Sequence, residues 1–472
     1  MTNAPSLRDR IVGIDRQVPL LDGSLVTYVN LDNAASTPAL KDVAEAVERF
    51  LPYYSSVHRG TGFKSRLSTI AYDQAHEIVG RFVGADPTTN TVIFGKNTTE
   101  AINKLSYRLA LPPEAVIILT HLEHHSNDLP WRRSGQVVHV NATPEGRLDE
   151  DDFDRKLARY AGRIGLVAVS GASNVTGFIQ PIHRLARKAH AAGARILVDA
   201  AQLAPHRRVD MRPDDDPEHL DFVALSAHKM YAPFGTGALI GPREIFLQGG
   251  PEYPGGGTVD VVTLDGVYWT GMPERDEAGS PNVVGAVAMA AAAQALMRAG
   301  MDNIGAHEES LIVYALEKMR LVPSLKIYGE TDPARAGERV GVIPFNLEGY
   351  SQFLVAAILG YEGGIGVRSG CFCAHPYVVH LLGLSGDESA TWQAQILGGD
   401  KSNMPGMVRI SFGCYSNTDD IDRLIFMLER IGRGDYHGRY QQVRSSGEYL
   451  PEGYTDLLED YFLLEETAHG IR

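Results

Sequence analysis

Lys229 sits in the stretch Leu220 to Gly241, LDFVALSAHKMYAPFGTGALIG, just after an apolar run with β-branched members. DFVALSA reads as a buried strand, with charge before it and a turn after it. A lysine at the mouth of such a strand, walled by apolar residues, loses hydration. That favours its neutral amine, the form that condenses with a carbonyl group. Alone, such a lysine reads far more readily as a surface residue in a loop. A second stretch, Arg195 to His206, RILVDAAQLAPH, changes the balance: ILVDA is another short apolar strand, ending on Asp199, with Gln202 three residues further on.

A carboxylate and a lysine at neighbouring strand ends suit pyridoxal phosphate. The carboxylate keeps the pyridine nitrogen protonated, so that the ring can take up the electrons of a substrate carbanion. In that reading Gln202 donates to the ring's phenolic oxygen, while Ser226 and His228 hold the phosphate. The segment FGKNTTEAINKLSYRLA joins a strand to a helix through Asn97, Thr98 and Thr99. Free backbone N–H groups at a helix start, with two hydroxyls, bind phosphate well. The same residues can also be a plain helix cap, with Thr98 or Thr99 in that role.

The motifs VDAAQ and SAHKMYAPFGTGAL resemble those of the class V aminotransferase superfamily, and within it the cysteine desulfurase and selenocysteine lyase family. Further matches run from LDNAAST near residue 32 to VRISFG near residue 410. The resemblance implies an α/β enzyme of PLP fold type I, with a mainly parallel seven-stranded sheet in a large domain and a smaller α+β domain. It makes Lys229 the cofactor anchor and Thr99, with Thr98, a phosphate ligand. HLEHHSNDLPW matches the family's EHHxNxxPW, so that His124 stacks on the cofactor ring and moves protons. SNVTG matches SNxxG and places Asn174 at the phenolic oxygen or the substrate carboxylate. EAGSPN matches GTPN, a loop that in relatives reaches the partner subunit's phosphate, so Gly279 and Ser280 imply a homodimer with composite sites. YYSSVHRGTG resembles the NVHRG loop and puts His58 near the substrate. Arg409, in VRISFG, matches the arginine that grips the substrate carboxylate, and Arg368 joins that substrate site.

VRSGCFCAHPY carries two of the three cysteines. Counted from Arg368, Ser369 and Gly370, Cys373 falls where the family has a catalytic cysteine that takes sulfur as a persulfide. Its thiolate is the nucleophile, which positive neighbours such as Arg368 or His375 would favour. Three other readings stand beside this one. Buried structural cysteine is the commonest fate of a thiol and is the reading for Cys414. A metal site from Cys371, Cys373, His375 and His380 is conceivable, although C-x-C-x-H is not a usual zinc spacing. A Cys371–Cys373 disulfide would be strained. GCFC and VRISFGCYSNTDD also resemble molybdenum-cofactor sulfurases, but the stretch after residue 435 is too short for the additional domain those carry. The Gly-rich segment 381–406 departs from the family and can shape substrate choice or acceptor docking.

These residues need elements to position them. At 472 residues the chain exceeds one ordinary core, so two domains are expected. The boundaries are 1–27, a segment packing on the small domain; 28–285, the large cofactor-binding domain; 286–435, the small domain, entered through a linking helix at 283–300; and 436–472, a tail. Strands are expected at TVIFG, AVIILTH, QVVHVNA, IGLVAVS, RILVDA, DFVALSA and GALIGP, with helices between several of them, the pattern of a parallel sheet covered on both faces. Ser36 to Pro38 are expected to cap the helix LKDVAEAVERFL. The small domain should hold strands at ERVGVIPFNLE and MVRISFG and a closing helix at DDIDRLIFMLERIG.

A net charge of −14 argues against nucleic acid and anionic membrane as partners. No apolar run approaches the roughly 20 residues of a membrane span. Three cysteines and a polar first stretch, MTNAPSLRDR, fit a reducing cytosol. The function expected is conversion of L-cysteine to L-alanine, with sulfur leaving through Cys373 to an acceptor protein or a reductant. One alternative is a C–S lyase, or an epimerase, decarboxylase or aminotransferase of the same superfamily, that does not need Cys373. Another is a non-catalytic sulfur carrier that keeps the fold.

Overall fold

In the computed structural model, residues 7–455, 458–462 and 464 are described. The expectations for residues 1–6 and for the end of the tail lie outside them. Seven strands form the main sheet: β1 (Asn90–Gly95), β2 (Val116–Thr120), β3 (Gln136–Val140), β4 (Ile164–Ser170), β5 (Arg195–Asp199), β6 (Phe222–Ser226) and β7 (Gly237–Pro242). Their spatial order is β1-β7-β6-β5-β4-β2-β3. The strands from β3 to β6 run parallel, while β7 is antiparallel to both β1 and β6. Strands β2, β5 and β6 are apolar almost end to end because both faces are covered, which removes the two-residue alternation of a half-exposed strand.

The expected helix at 283–300 is present as Val283–Ala299. Its alanines are largely buried against the helices Lys41–Phe50 and Phe63–Phe82, since side chains this small let the helix axes approach closely. A second sheet, with its own apolar cluster, contains β8 (Leu325–Ile327), β9 (Val342–Leu347), β10 (Arg368–Gly370) and β11 (Met407–Ser411) in the order β8-β9-β11-β10, antiparallel throughout. β9 and β11 coincide with the two strands read from the sequence. β8 and β10 are three residues each, too short to show a period.

The helix Lys41–Phe50 is not capped by Ser36 or Thr37: Leu40 stands at its N-cap and makes no side-chain bond. The two hydroxyls donate instead to the His228 carbonyl at 3.2 and 3.1 Å, and Thr37 accepts from Tyr231 N–H at 2.8 Å. A long-range tie to the lysine turn has displaced the local cap. Segment 381–406 contains a helix, Gly386–Leu397, opened by a reciprocal capping box between Ser385 and Glu388. Tail residues Tyr440–Gln442 and Tyr449–Pro451 pair as an antiparallel ribbon. The N-terminal segment touches both parts of the fold. Arg8 pairs with Asp420 at 2.8 Å near the second sheet, while Ile11 is buried in the core of the main sheet. Among the described residues no single helix is long and apolar enough to cross a membrane.

Candidate active site

Beyond the carboxyl ends of β2, β4, β5 and β6 lies a cavity of about 240 Å³. Ligands gather at this edge in open α/β sheets because the loops leaving the strands converge there. Thr98, Thr99, His124, Asn174, Asp199, Gln202, Ser226, His228, Lys229, Arg368, Cys373 and Arg409 all line it. They come from seven separate stretches of chain. The main sheet supplies one wall, and the strand–turn after β10, with β11, supplies the other.

Lys229 lies in a single 3-10 turn directly after β6. It is half-buried and lines the cavity. Burial lowers its pKa to about 8, against the attraction of Asp199 and with help from Arg409. The neutral, nucleophilic amine is therefore the minor form below pH 8 and the major form above it. The rate at which the apoprotein condenses with pyridoxal phosphate is accordingly expected to rise about tenfold per pH unit below that point and to level off above it. Stopped-flow absorbance, with Lys229→Ala as the blank, measures this; a rate still climbing at pH 10 would assign the amine an ordinary lysine pKa.

Asp199 ends β5 and is buried, with Oδ1 accepting from Ala201 N–H at 3.0 Å. Burial raises its pKa, so the site holds a carboxyl group short of cationic partners. A protonated ring nitrogen is such a partner. The phosphate corner is similarly underused. The helix Thr98–Arg108 opens toward the cavity, capped by Asn97, whose side chain accepts from Glu100 N–H at 3.0 Å. The cap thus falls one residue before the two threonines expected to serve, which leaves Thr98 and Thr99 in the first turn. Thr98 Oγ1 is buried without a partner, and Thr99 Oγ1 meets only Ser126 Oγ at 2.7 Å. Gly237 makes this corner possible, since a Cβ there would stand 2.5 Å from the Asn97 backbone. An orphaned hydroxyl at a helix start, Ser226 and His228 beside it, and a buried carboxyl opposite a lysine together fit the chemistry of pyridoxal phosphate.

Two polar residues are partly committed elsewhere. Gln202 donates to the Ala34 carbonyl at 2.6 Å and leaves Oε1 buried and unpaired. Asn174 donates to the Phe372 carbonyl at 2.7 Å. His124 accepts from Ser126 N–H through Nδ1 at 3.0 Å, so its proton sits on Nε2. Burial and the nearby Lys229 lower its pKa to about 3, and the ring is neutral at any working pH. The loop is held by Glu123, a residue the sequence reading passed over. Buried, it accepts from Thr120, Asn127 and Ser170 side chains at 2.6 to 2.7 Å. Only its position beside the histidine pair could have drawn attention to it.

Phe372 and Cys373 both adopt left-handed backbone conformations, with φ of 52° and 55°. Non-glycine residues there are strained by about 1–2 kcal/mol each and persist only where neighbours hold them. The neighbours are Asn174, on the Phe372 carbonyl, and His125, whose N–H donates to the Cys373 carbonyl at 2.8 Å. His125 is also stacked on His375 with ring centroids 4.8 Å apart. Cys373 is exposed, whereas Cys371 and Cys414 are buried. Burial pushes both buried thiols up to about 12, and Cys371 donates to the Pro405 carbonyl at 2.9 Å. The candidate ligands Cys371, Cys373, His375 and His380 do not converge, since Cys371 points to Pro405 and His380 binds the Thr143 carbonyl at 2.8 Å.

Arg409 is buried, donating to the Asn174 carbonyl at 2.9 Å and to Asp32 at 2.8 Å, while its Nε–H has no partner. Asp32 is the second residue the sequence reading did not single out, although it lies within LDNAAST. In the β10–β11 register Arg368 stands directly opposite Arg409. Two like charges so placed repel, and an incoming carboxylate relieves both. His58, Gly279 and Ser280 lie outside this cavity. They line another, of about 630 Å³, bordered by Arg59, Gly256 and Gly257.

The chain matches the aminotransferase class-V family model over residues 29–424. A cysteine desulfurase of Serratia proteamaculans is 36% identical over 434 residues, spanning 88% of this chain and 96% of the relative. One from Haloferax volcanii is 33% identical over 431 residues, 89% of this chain and 93% of the other. Among solved structures, the apo cysteine desulfurase of Thermococcus onnurineus superposes with a TM-score of 0.75 at 32% identity, covering 86% of this chain and 95% of its own. The cysteine desulfurase CsdA of Escherichia coli superposes at 0.73 and 27%, covering 91% and 98%.

Proposed function

Since the chain belongs to the aminotransferase class-V family, whose members use pyridoxal phosphate, we propose that it is a cysteine desulfurase working through Lys229 and Cys373. The observation that carries this reading is the placing of an exposed thiol, on a strained and clamped turn, in the same cavity as the half-buried lysine. The bound cofactor would supply an electron sink for the bonds at the substrate's α-carbon. Thr98, Thr99, Ser226 and His228 would hold its phosphate, Asp199 its ring nitrogen, and His124 one ring face.

Arg409 and Arg368 bind the substrate carboxylate and so orient the side chain toward Cys373. The Cys373 thiolate attacks the substrate sulfur: an S–S bond forms, the C–S bond breaks, and the carbon keeps the electron pair. Lys229 Nζ, with its pKa about 8, returns a proton to that carbon. His124, held neutral with its proton on Nε2, has no readily released proton for this role. The products are L-alanine and a persulfide on Cys373, which a sulfur-acceptor protein or a thiol then takes.

Incubation of the holoenzyme with L-cysteine and a thiol reductant tests the proposal. Alanine and sulfide in equal amounts are expected, and pyruvate in place of alanine would make the protein a C–S lyase. Arg409→Lys is expected to raise KM about 10- to 100-fold with a smaller change in kcat. Lysine keeps the charge but loses the fork that holds both carboxylate oxygens. An unchanged KM would remove Arg409 from the substrate site.

The active form is a homodimer. The hairpin formed by Val259–Val262 and Val267–Trp269 exposes Val261, Val262, Leu264, Val267 and Tyr268, an apolar patch of the kind found at interfaces. It is tied by Arg59 to the cavity that holds Gly279 and Ser280, the residues assigned to the partner's phosphate. Light scattering should give twice the chain mass; a monomer with full activity would exclude composite sites. The reducing cytosol remains the compartment that suits a free reactive thiol.

A further inference from the structure

The end of the main sheet opposite the cavity carries a second cluster of side chains, unused by the chemistry above. His190 lies in the last turn of the helix Ile182–Ala191, His219 in the connection between β5 and β6, and Asp221 immediately before β6. We propose that these three residues form a binding site for one divalent transition-metal ion of the zinc class.

His190 Nδ1 lies 2.9 Å from the Pro217 carbonyl, and His219 Nδ1 lies 2.7 Å from the Asp216 carbonyl. A carbonyl only accepts, so both Nδ1 atoms carry hydrogen and Nε2 is the atom each ring has to offer a metal. This is the second-shell arrangement that orients histidine ligands in metal proteins. The Asp221 carboxylate 2.9 Å from His190 Nε2 also only accepts, so the metal takes the place of the proton in that bond. Both Nε2 atoms face Asp221, His190 at 2.9 Å from Oδ2 and His219 at 3.6 Å from Oδ1. The imidazoles are stacked, with centroids 4.2 Å apart and planes 20° from parallel. A zinc ion at about 2.0–2.1 Å from each ligand, with tetrahedral angles, sets neighbouring donor atoms about 3.3 Å apart. One ligand atom from each of the three side chains lies within 4.8 Å of the others, so small side-chain rotations bring them to that spacing.

The carboxylate is also anchored, since Oδ2 accepts from Ile196 N–H at 2.8 Å and so fixes Asp221 to the start of β5. The nearby Glu218 is engaged by Arg187 at 3.0 Å and Arg212 at 2.7 Å, which leaves two nitrogens and one oxygen as the donor set. Two imidazoles and a carboxylate suit zinc, cobalt or nickel and not the oxygen-seeking calcium or magnesium. Side-chain exposures of 19%, 20% and 9% leave one side open for water as the fourth ligand. The ion would staple the loop 212–221 to the helix and to two strands of the sheet, a structural task remote from Lys229.

The test uses the Cys373→Ala holoenzyme, so that the reactive thiol takes no metal, stripped with a chelator and titrated with zinc chloride by calorimetry. One zinc per chain is expected, with a melting temperature that rises with zinc concentration. His219→Asn in the same background should lose both effects. The asparagine amide N–H can still reach the Asp216 carbonyl while no ring nitrogen remains to bind metal. Asp221→Asn, which can still accept from Ile196, should weaken binding at least tenfold. With Cys373 restored, His219→Asn should turn over L-cysteine at the unmodified rate. Zinc bound equally well by the His219→Asn protein, or not bound by the parent, overturns the proposal and leaves a hydrogen-bonded His–Asp cluster. Neither result bears on the desulfurase reading.

Discussion

Lys229→Ala should lower turnover of L-cysteine by about 10³-fold or more, the largest single effect at this site. Loss of proton transfer alone accounts for roughly 10²–10⁴-fold, and loss of the amine that anchors the cofactor adds to it. The structure gives the reason one residue can serve both purposes. Burial brings the amine to about 8, close to neutrality, while Asp199 on one side and Arg409 on the other balance its charge. Lys229→Arg separates chemistry from packing, because it keeps a cation at the position but no usable base. Equal loss in both variants, with unchanged circular dichroism, is expected. Substantial turnover by the arginine protein would move the proton-transfer role elsewhere.

Cys373→Ala should abolish formation of alanine and sulfide, to below about one part in 10² of the parent rate, while leaving cofactor absorbance intact. Cys371→Ala is its control and should remain within about twofold, as a buried thiol held at about 12 and bonded to a carbonyl supplies no thiolate. The clamp on the turn offers a graded version of the same experiment. Asn174→Ala frees the Phe372 carbonyl and lets two left-handed residues relax, so sulfur transfer should slow more than cofactor binding weakens. Pyruvate that persists in Cys373→Ala would falsify the persulfide route and favour the lyase alternative.

Much of this was legible in the chain. β2, β5 and β6 announce themselves as short apolar runs ending in a polar residue; Asp199 is the ending of β5 and Lys229 follows the ending of β6 by three residues, so local hydrophobic pattern and site chemistry coincide. The short strands β8 and β10 and the helix at 386–397 leave no legible pattern in the chain. Three residues carry no period, and the Ser385–Glu388 capping box is a signal that the glycine content of its surroundings obscured. Ser36 and Thr37 look like caps because they are hydroxyls just before a helix, whereas the carbonyl of His228, nearly two hundred residues away, takes both.

Local pattern is enough to read the strand cores, the candidate lysine and carboxylate at their ends, and three thiols of which one has to be singled out. Those are properties of residue type and nearest neighbours. Which groups share a cavity, and in what state, follows from long-range packing. It put Cys373 in the open and buried Cys371 two residues away, fixed His124 as a neutral donor, and set Arg368 across a strand pair from Arg409. It also left His58, Gly279 and Ser280 facing a different cavity. The physical reason is that burial and the approach of distant charges set protonation and reactivity, and both depend on contacts between segments hundreds of residues apart.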